Sequence, residues 1–209
     1  MPRRNRATPL GEVIADPARG LVYANRGVLH DSRGEIRRRY NGRRWIACRL
    51  QFKGRRRVLL MAPGRFTELF FLDEATAFAA GHRPCGECRY EDYQRFSALW
   101  RDLHPGQIGA DAMDRQLHSE RMDLVTRGQQ RRPMACDELP DGAYVLIDER
   151  PWLVLGGELA QWTPSGYRAR RPRPRGETTL VLTPPSLVAV LRAGWDPQTV
   201  PLLHPSATR

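Results

Sequence analysis

Cys85-Gly86-Glu87-Cys88 sets two thiolates two residues apart, a spacing at which one tetrahedral metal ion can accept both, and the small Gly86 lets the intervening turn fold back on itself. Such a pair also suits dithiol redox chemistry, but that reading wants a thioredoxin-like βαβ setting, which the surrounding pattern lacks. A third possibility is a degenerate turn that holds no metal. A metal would need further ligands, and the chain offers Cys48, Cys136 and five histidines, among which spacing does not choose. Cys48 is the first expectation, because a neighbouring strand could carry it to the turn. Against it stands the ordinary role of a small buried cysteine.

The second chemistry is positive charge. The chain has 34 Lys and Arg against 23 Asp and Glu, a formal net charge of +11, and Lys53 is the sole lysine. A preference for arginine suits bidentate contact with phosphate and guanine, yet reflects a GC-rich coding sequence equally well. Where the charge falls is more telling. Residues 1–65 hold sixteen Arg, Lys53 and four acids, for a net of +13, whereas residues 66–209 sum to −2. Within that third lie Arg37-Arg38-Arg39, Arg43-Arg44 and Arg55-Arg56-Arg57, interleaved with Tyr23, Tyr40 and Trp45. Arginine forks match phosphate oxygens and aromatic faces stack on exposed bases, so the block points to nucleic acid rather than a membrane surface. The alternative is a solvated charged face whose aromatics are core.

Catalytic candidates are fewer. His30-Asp31 follows Asn25-Arg26-Gly27, and His118 shares a helix face with Asp114 and Arg121, so each could supply a base or a metal ligand. None belongs to a nuclease, glycosylase or hydrolase signature, and Gly-rich phosphate loops, Gly-X-Ser-X-Gly and His-Glu-X-X-His are all missing from the sequence. The plain reading of these histidines is polar surface.

The elements that must position these residues read as α+β. Short β-prone runs at 13–14, 21–24, 45–52 and 57–61 are punctuated by glycines, with a hairpin connection at 52–55. In 45–52 the even positions Ile46, Cys48, Leu50 and Phe52 are all apolar, which would turn Cys48 inward. A strand at 67–72 leads to Asp73, a good N-cap, and to an Ala-rich helix stopped by Gly81. Residues 90–103 carry Tyr93, Phe96, Leu99, Trp100 and Leu103 at three- and four-residue steps, an amphipathic helix, and 110–124 suggests another. Residues 125–140, polar and broken by Gly128, Pro133 and Pro140, read as a linker. Strands at 144–147, 152–155 and 159–162 suggest an antiparallel meander, 168–175 an exposed Arg-Pro loop, and 179–182 a strand before a helix opening at Thr183-Pro184.

One stretch carries a resemblance. Residues 70–88, Phe-Phe-Leu-Asp-Glu-Ala-Thr-Ala-Phe-Ala-Ala-Gly-His-Arg-Pro-Cys-Gly-Glu-Cys, resemble the zinc-binding module of the Ada family of methylation-damage response proteins. There a strand and a short Ala-rich helix end in Gly-aromatic-Arg-Pro-Cys-X-X-Cys, the second pair of a four-cysteine zinc site. The likeness covers 19 of 209 residues, with His82 where the family usually has an aromatic. It implies that Cys85 and Cys88 are zinc ligands, that Arg83 approaches the DNA backbone, and that the protein serves DNA repair or damage response. The family's upstream cysteine pair, one member of which accepts a methyl group from a DNA phosphotriester, has no counterpart, since residues 52–66 hold neither Cys nor His. Methyl transfer is therefore not supported.

The expectation is an α+β chain in three parts. A basic β-rich region with an Ada-like zinc knuckle and two helices spans 1–125, a linker 126–140, and a small antiparallel β unit with a terminal helix 141–209. Its expected function is to bind nucleic acid, DNA first, with a structural zinc on Cys85 and Cys88, Cys48 being the first candidate for a further ligand, and with Arg37, Arg38, Arg39, Arg43, Arg44, Trp45, Arg55, Arg56, Arg57 and Arg83 at the contact. An enzyme acting on nucleic acid through His30, Asp31 or His118, and an RNA-associated regulator, are the alternatives. No small-molecule cofactor is evident. With no apolar leader near the N-terminus and no long apolar run, a cytoplasmic location is expected, where free thiols persist.

Overall fold

In the computed structural model, which describes residues 1–54, 59–123, 125–197 and 199, the strands form two six-stranded sheets. The first contains β1 (Arg4–Ala7), β2 (Val13–Ala15), β3 (Val22–Asn25), β4 (Ile46–Cys48), β5 (Leu69–Phe71) and β6 (Arg83–Pro84), in the order β2-β1-β5-β3-β4-β6. The second contains β7 (Arg132–Ala135), β8 (Tyr144–Ile147), β9 (Arg150–Leu155), β10 (Glu158–Thr163), β11 (Gly166–Pro172) and β12 (Thr178–Val181), in the order β11-β10-β9-β8-β12-β7. The chain is thus α+β, with helices α1 (Glu74–Ala79), α2 (Tyr90–Leu103), α3 (Ala110–Arg121) and α4 (Pro185–Arg192).

Helix α1 shows why its sequence is so rich in alanine. Asp73 caps it, its Oδ1 accepting from the Thr76 amide at 2.8 Å. At the other end Gly81, at φ +80°, closes a Schellman turn in which the Gly81 and His82 amides donate to the carbonyls of Phe78 and Ala77. All six of its residues are buried. Ala77 packs with the first sheet, Ala75 and Ala79 with Tyr144 and Leu146 of the second, and Phe78 with the core beneath α2 and α4. A helix enclosed on every side needs small side chains so that the layers can close on it. Buried hydroxyls fix it further: Tyr167 donates to Asp73 Oδ2 at 2.7 Å and lies 2.7 Å from the Tyr144 hydroxyl.

Several expectations change. The run 45–52 is a strand only over Ile46–Cys48; Leu50 beyond it is 40% exposed, so the apolar alternation does not continue. Of the strand expected at 57–61, residues 59–61 are bend and turn, while Arg57 and Val58 lie outside the described residues. Lys53 and Gly54 do form a turn. Strand β1 was not foreseen from Arg-Asn-Arg-Ala, because its burial comes from lying between β2 and β5 rather than from apolar side chains. Within the expected linker, β7 pairs with β12 and Cys136 and Leu139 enter the core shared with α2, α3 and α4. The Arg-Pro run expected as a loop begins as the edge strand β11. Pro133 in β7 and Pro172 in β11 are tolerated because both strands are edges, where a missing N–H costs no ladder bond. Helix α3 ends at Arg121; Leu124, where it was expected to end, lies outside the described residues.

Candidate metal centre and its charged surroundings

Side chains alternate across a strand, and the two faces of the first sheet differ accordingly. Ala24, Ala47, Leu69 and Phe71 face α1, whereas Tyr23, Cys48 and Phe70 point to the opposite face. Cys48 is therefore turned not into the main core but into a small cluster with Cys85 and Cys88. Parallel pairing of β4 with β6 matches Ala47 to Pro84, and the Cys85 amide donates to the Ala47 carbonyl at 2.9 Å, so that Cys48 and Cys85 are neighbours. The Cys85–Cys88 turn then brings its second sulfur back to β4, where the Arg49 amide donates to Cys88 Sγ at 3.4 Å. Arg89 pins the turn by pairing with Glu74 of α1 at 2.7 Å and with Asp92 of α2 at 2.8 Å.

The three sulfurs lie within 4.8 Å of one another, and all three residues are buried. A tetrahedral zinc with Zn–S bonds of about 2.3 Å sets its sulfurs about 3.8 Å apart, so the spacing fits such an ion. Amide donors to the sulfurs, Arg49 to Cys88 and Glu87 to Cys85 at 3.5 Å, supply the outer hydrogen bonding that thiolate ligands use. Hydrogen bonds with Cys48 and Cys88 hold the Cys85 thiol far below its ordinary range. Hydrogen bonds with Cys85 and Cys88, and then burial, push Cys48 up. For Cys88 the hydrogen bond with Cys48 pulls down, but that with Cys85 and burial outweigh it.

No fourth Cys, His, Asp or Glu among the described residues joins this group. Cys136 is fully buried in the core with α2, α3 and α4. His30 lies 2.6 Å from Thr67 Oγ1, His104 stacks on Trp100 at 4.2 Å, and His118 rests edge-on against Tyr40 at 5.0 Å. His204 lies outside the described residues.

The other expected site residues part company. Arg37, Arg38, Arg39, Arg43 and Arg44 are exposed, while Arg55, Arg56 and Arg57 lie outside the described residues. Trp45 is 3% exposed and cannot offer its face to a base; the guanidinium carbons of Arg26 and Arg121 stand 4.7 and 4.0 Å from its ring centre instead. Arg83, expected at a DNA backbone, is instead buried in a bidentate pair with Asp114 of α3 at 2.9 and 2.8 Å, so its guanidinium is already engaged by a carboxylate. Asp31 organises its own loop, accepting from the amides of Arg33 and Glu35 and from Arg37 Nε. His30, Asp31 and His118 are thus not gathered into one catalytic group. The buried pair Arg26 and Arg121 escaped the sequence reading, since an isolated arginine carries no signal of burial.

His82 completes this interior. It is fully buried, with ring centres of Phe71 and Trp45 at 4.7 and 5.2 Å. Burial, then the charges of Arg26 and Arg121, hold it well below its ordinary value of 6.5, and the Ala77 and Ala80 carbonyls offset only part of this. The folded state keeps His82 neutral while the unfolded state takes up a proton below about pH 6.5, so this contribution to stability is present above that pH and lost as pH falls, by at most about 1.4 kcal/mol per unit. His82→Phe should flatten the loss between pH 7 and pH 5, because a phenyl ring has no group to protonate. Urea midpoints at the two pH values check this; equal acid sensitivity in both proteins would refute it.

Fold and site together define an α+β chain with a cluster of three buried cysteines, able to hold a metal ion, on one face of its basic sheet. The chain matches no protein-family model, no curated protein and no solved structure. The cluster alone does not make it a member of the Ada family.

Proposed function

We propose that this chain is a nucleic-acid-binding protein that carries zinc on Cys48, Cys85 and Cys88. The observation that supports the nucleic-acid reading is uncompensated charge on the surface. Arg37, Arg38, Arg39, Arg43 and Arg44 are all exposed, and among the described residues only Arg37 has a carboxylate at ion-pair distance, Asp31 at 2.8 Å. Zinc is favoured because three thiolates are soft donors that select it over magnesium or calcium. DNA as the partner, and a part in damage response, rest on the Ada resemblance.

Binding of duplex DNA, single-stranded DNA and RNA over a salt series tests the reading. Affinity should fall steeply with salt, and Arg43→Ser with Arg44→Ser should weaken binding to every sequence and reduce the slope by about 2. Binding that is absent at low salt, or insensitive to salt, would overturn it.

A second reading has its own support. Three protein ligands leave room for water or substrate in a fourth position, the arrangement of catalytic rather than closed structural zinc sites. An enzyme acting on nucleic acid would then work at the thiolate cluster and not at His30, Asp31 or His118. Nuclease and glycosylase assays on damaged and undamaged DNA, before and after metal removal, separate it from a binding protein.

A further inference from the structure

A second chemical feature lies on the other face of the same sheet. The turn from β1 to β2, the residue after β3 and the segment 36–39 line a cleft of about 410 Å³, whose walls include Val13 and Ile36 of the α1-facing core. Five arginines line it, Arg4, Arg26, Arg37, Arg38 and Arg39, against the single carboxylate of Glu12. Four of the five are exposed. The fifth, Arg26, is 1% exposed.

Arg26 is an unusual residue to bury. Its Nη2 donates to the Gly11 carbonyl at 2.7 Å and its guanidinium carbon stands 4.7 Å from the Trp45 ring centre, but its Nε has no partner and no carboxylate among the described residues comes within ion-pair distance. Burial, then the charge of Arg39, lower its pKa to about 9, which leaves it cationic at neutral pH. Arg121, also buried, is a further cation that Arg26 influences. A buried charge that lacks a counter-ion is strongly unfavourable, and one aromatic face and one carbonyl compensate it only in part. An anion entering from the cleft would supply what the protein does not. The planar fork of arginine matches the oxygens of a phosphoryl group.

We propose that this cleft is a phosphate-binding site, with Arg26 as its buried fork and the exposed Arg38 and Arg39 closing on the same group. The phosphate can come from a nucleic-acid strand or from a free phosphate ester. The inference shares the phosphate chemistry of the nucleic-acid reading but needs neither the thiolate cluster nor DNA.

The test titrates the 209-residue chain calorimetrically with inorganic phosphate, at ionic strength held constant with chloride, and then with oligonucleotides carrying a 5′-phosphate or a 5′-hydroxyl. Saturable phosphate binding is expected, weakened about tenfold or more in Arg26→Gln, the scale of losing charge-assisted hydrogen bonds. Should Arg26→Gln fail to fold, the exposed double variant Arg38→Ser with Arg39→Ser should still lower phosphate affinity several-fold. Absence of phosphate binding, or affinity that the folded variants keep, overturns the site. If nucleic acid binds through Arg43 and Arg44 and phosphate does not bind, the site falls and the nucleic-acid reading stands. If phosphate binds through Arg26 and no nucleic acid binds, the site stands as a receptor for free phosphate esters and the nucleic-acid reading falls. Tighter binding of the 5′-phosphate oligonucleotide, lost with Arg26, supports the strand as the source.

Discussion

Cys85→Ser is expected to strip the protein of metal: about one zinc per chain in the wild type and less than about a tenth of that in the variant, measured by elemental analysis of protein purified without chelators. Cys85 is the sulfur through which the site is built. It follows β6 directly, its amide is hydrogen-bonded to β4, and its sulfur lies within 4.8 Å of both Cys48 and Cys88. Structural zinc sites contribute on the order of 10 kcal/mol of binding free energy, most of which a site reduced to two thiolates would forfeit. Unfolding should nevertheless be local. The cores around Trp100, Phe96 and Val154 and around Tyr144 and Leu153 contain none of the three cysteines, so loss of the ion should expose amides at β4, β6 and the start of α2 while leaving the second sheet protected from hydrogen exchange. A wild-type protein that is fully folded, free of metal and unable to take up zinc would refute the metal assignment.

Legibility of the fold followed the range of the physics. Where a segment's state is decided locally, the residues announced it. Asp73 and Gly81 bracket α1 as capping rules require, and α2 runs over Tyr90–Leu103, as its apolar spacing predicts. The meander β8, β9 and β10 was visible in its β-prone runs and turns. Where a partner distant in sequence decides, the residues misled. β7 looks like a linker because half its residues are exposed and one is proline, and it is a strand because β12 is there to pair with. β11 looks like an Arg-rich loop for the same reason.

The metal site divides along a similar line. Cys85 and Cys88 declare themselves by spacing, whereas the choice of Cys48 over Cys136 depends on β4 pairing in parallel with β6, a tertiary fact. The alternation that suggested an inward Cys48 was right about burial and misleading about direction, because both faces of the first sheet are covered near β4. For the arginines, charge counting found the region but could not sort its members. Arg38, Arg39, Arg43 and Arg44 face solvent, Arg83 is consumed by an ion pair, and Arg26 lies beneath the surface.

That sorting has a measurable consequence at Asp114. Asp114→Ala should destabilise the protein by about 3–5 kcal/mol, the usual cost of removing one partner of a buried ion pair. Asp114 and Arg83 have side chains 5% and 3% exposed, and two parallel hydrogen bonds join them. Without the carboxylate, Arg83 keeps one bond, to the Pro84 carbonyl at 3.1 Å, in a neighbourhood where its charge already opposes that of Arg121. Replacing both partners, Arg83→Met with Asp114→Leu, should recover much of the loss, because no unpaired charge then remains; urea unfolding of wild type, Arg83→Met, Asp114→Leu and the double variant gives the coupling directly. The pair also ties β6 to α3 two residues before Cys85. Asp114→Ala should therefore lower zinc affinity as well as stability, and the double variant should restore stability more fully than affinity, since it lacks the directional bonds that hold β6 in place. A loss below about 1 kcal/mol in Asp114→Ala would mean that Arg83 reaches water when released, the behaviour of an exposed pair. Arg83 would then be free to do what its motif first suggested, and meet a phosphate at the surface.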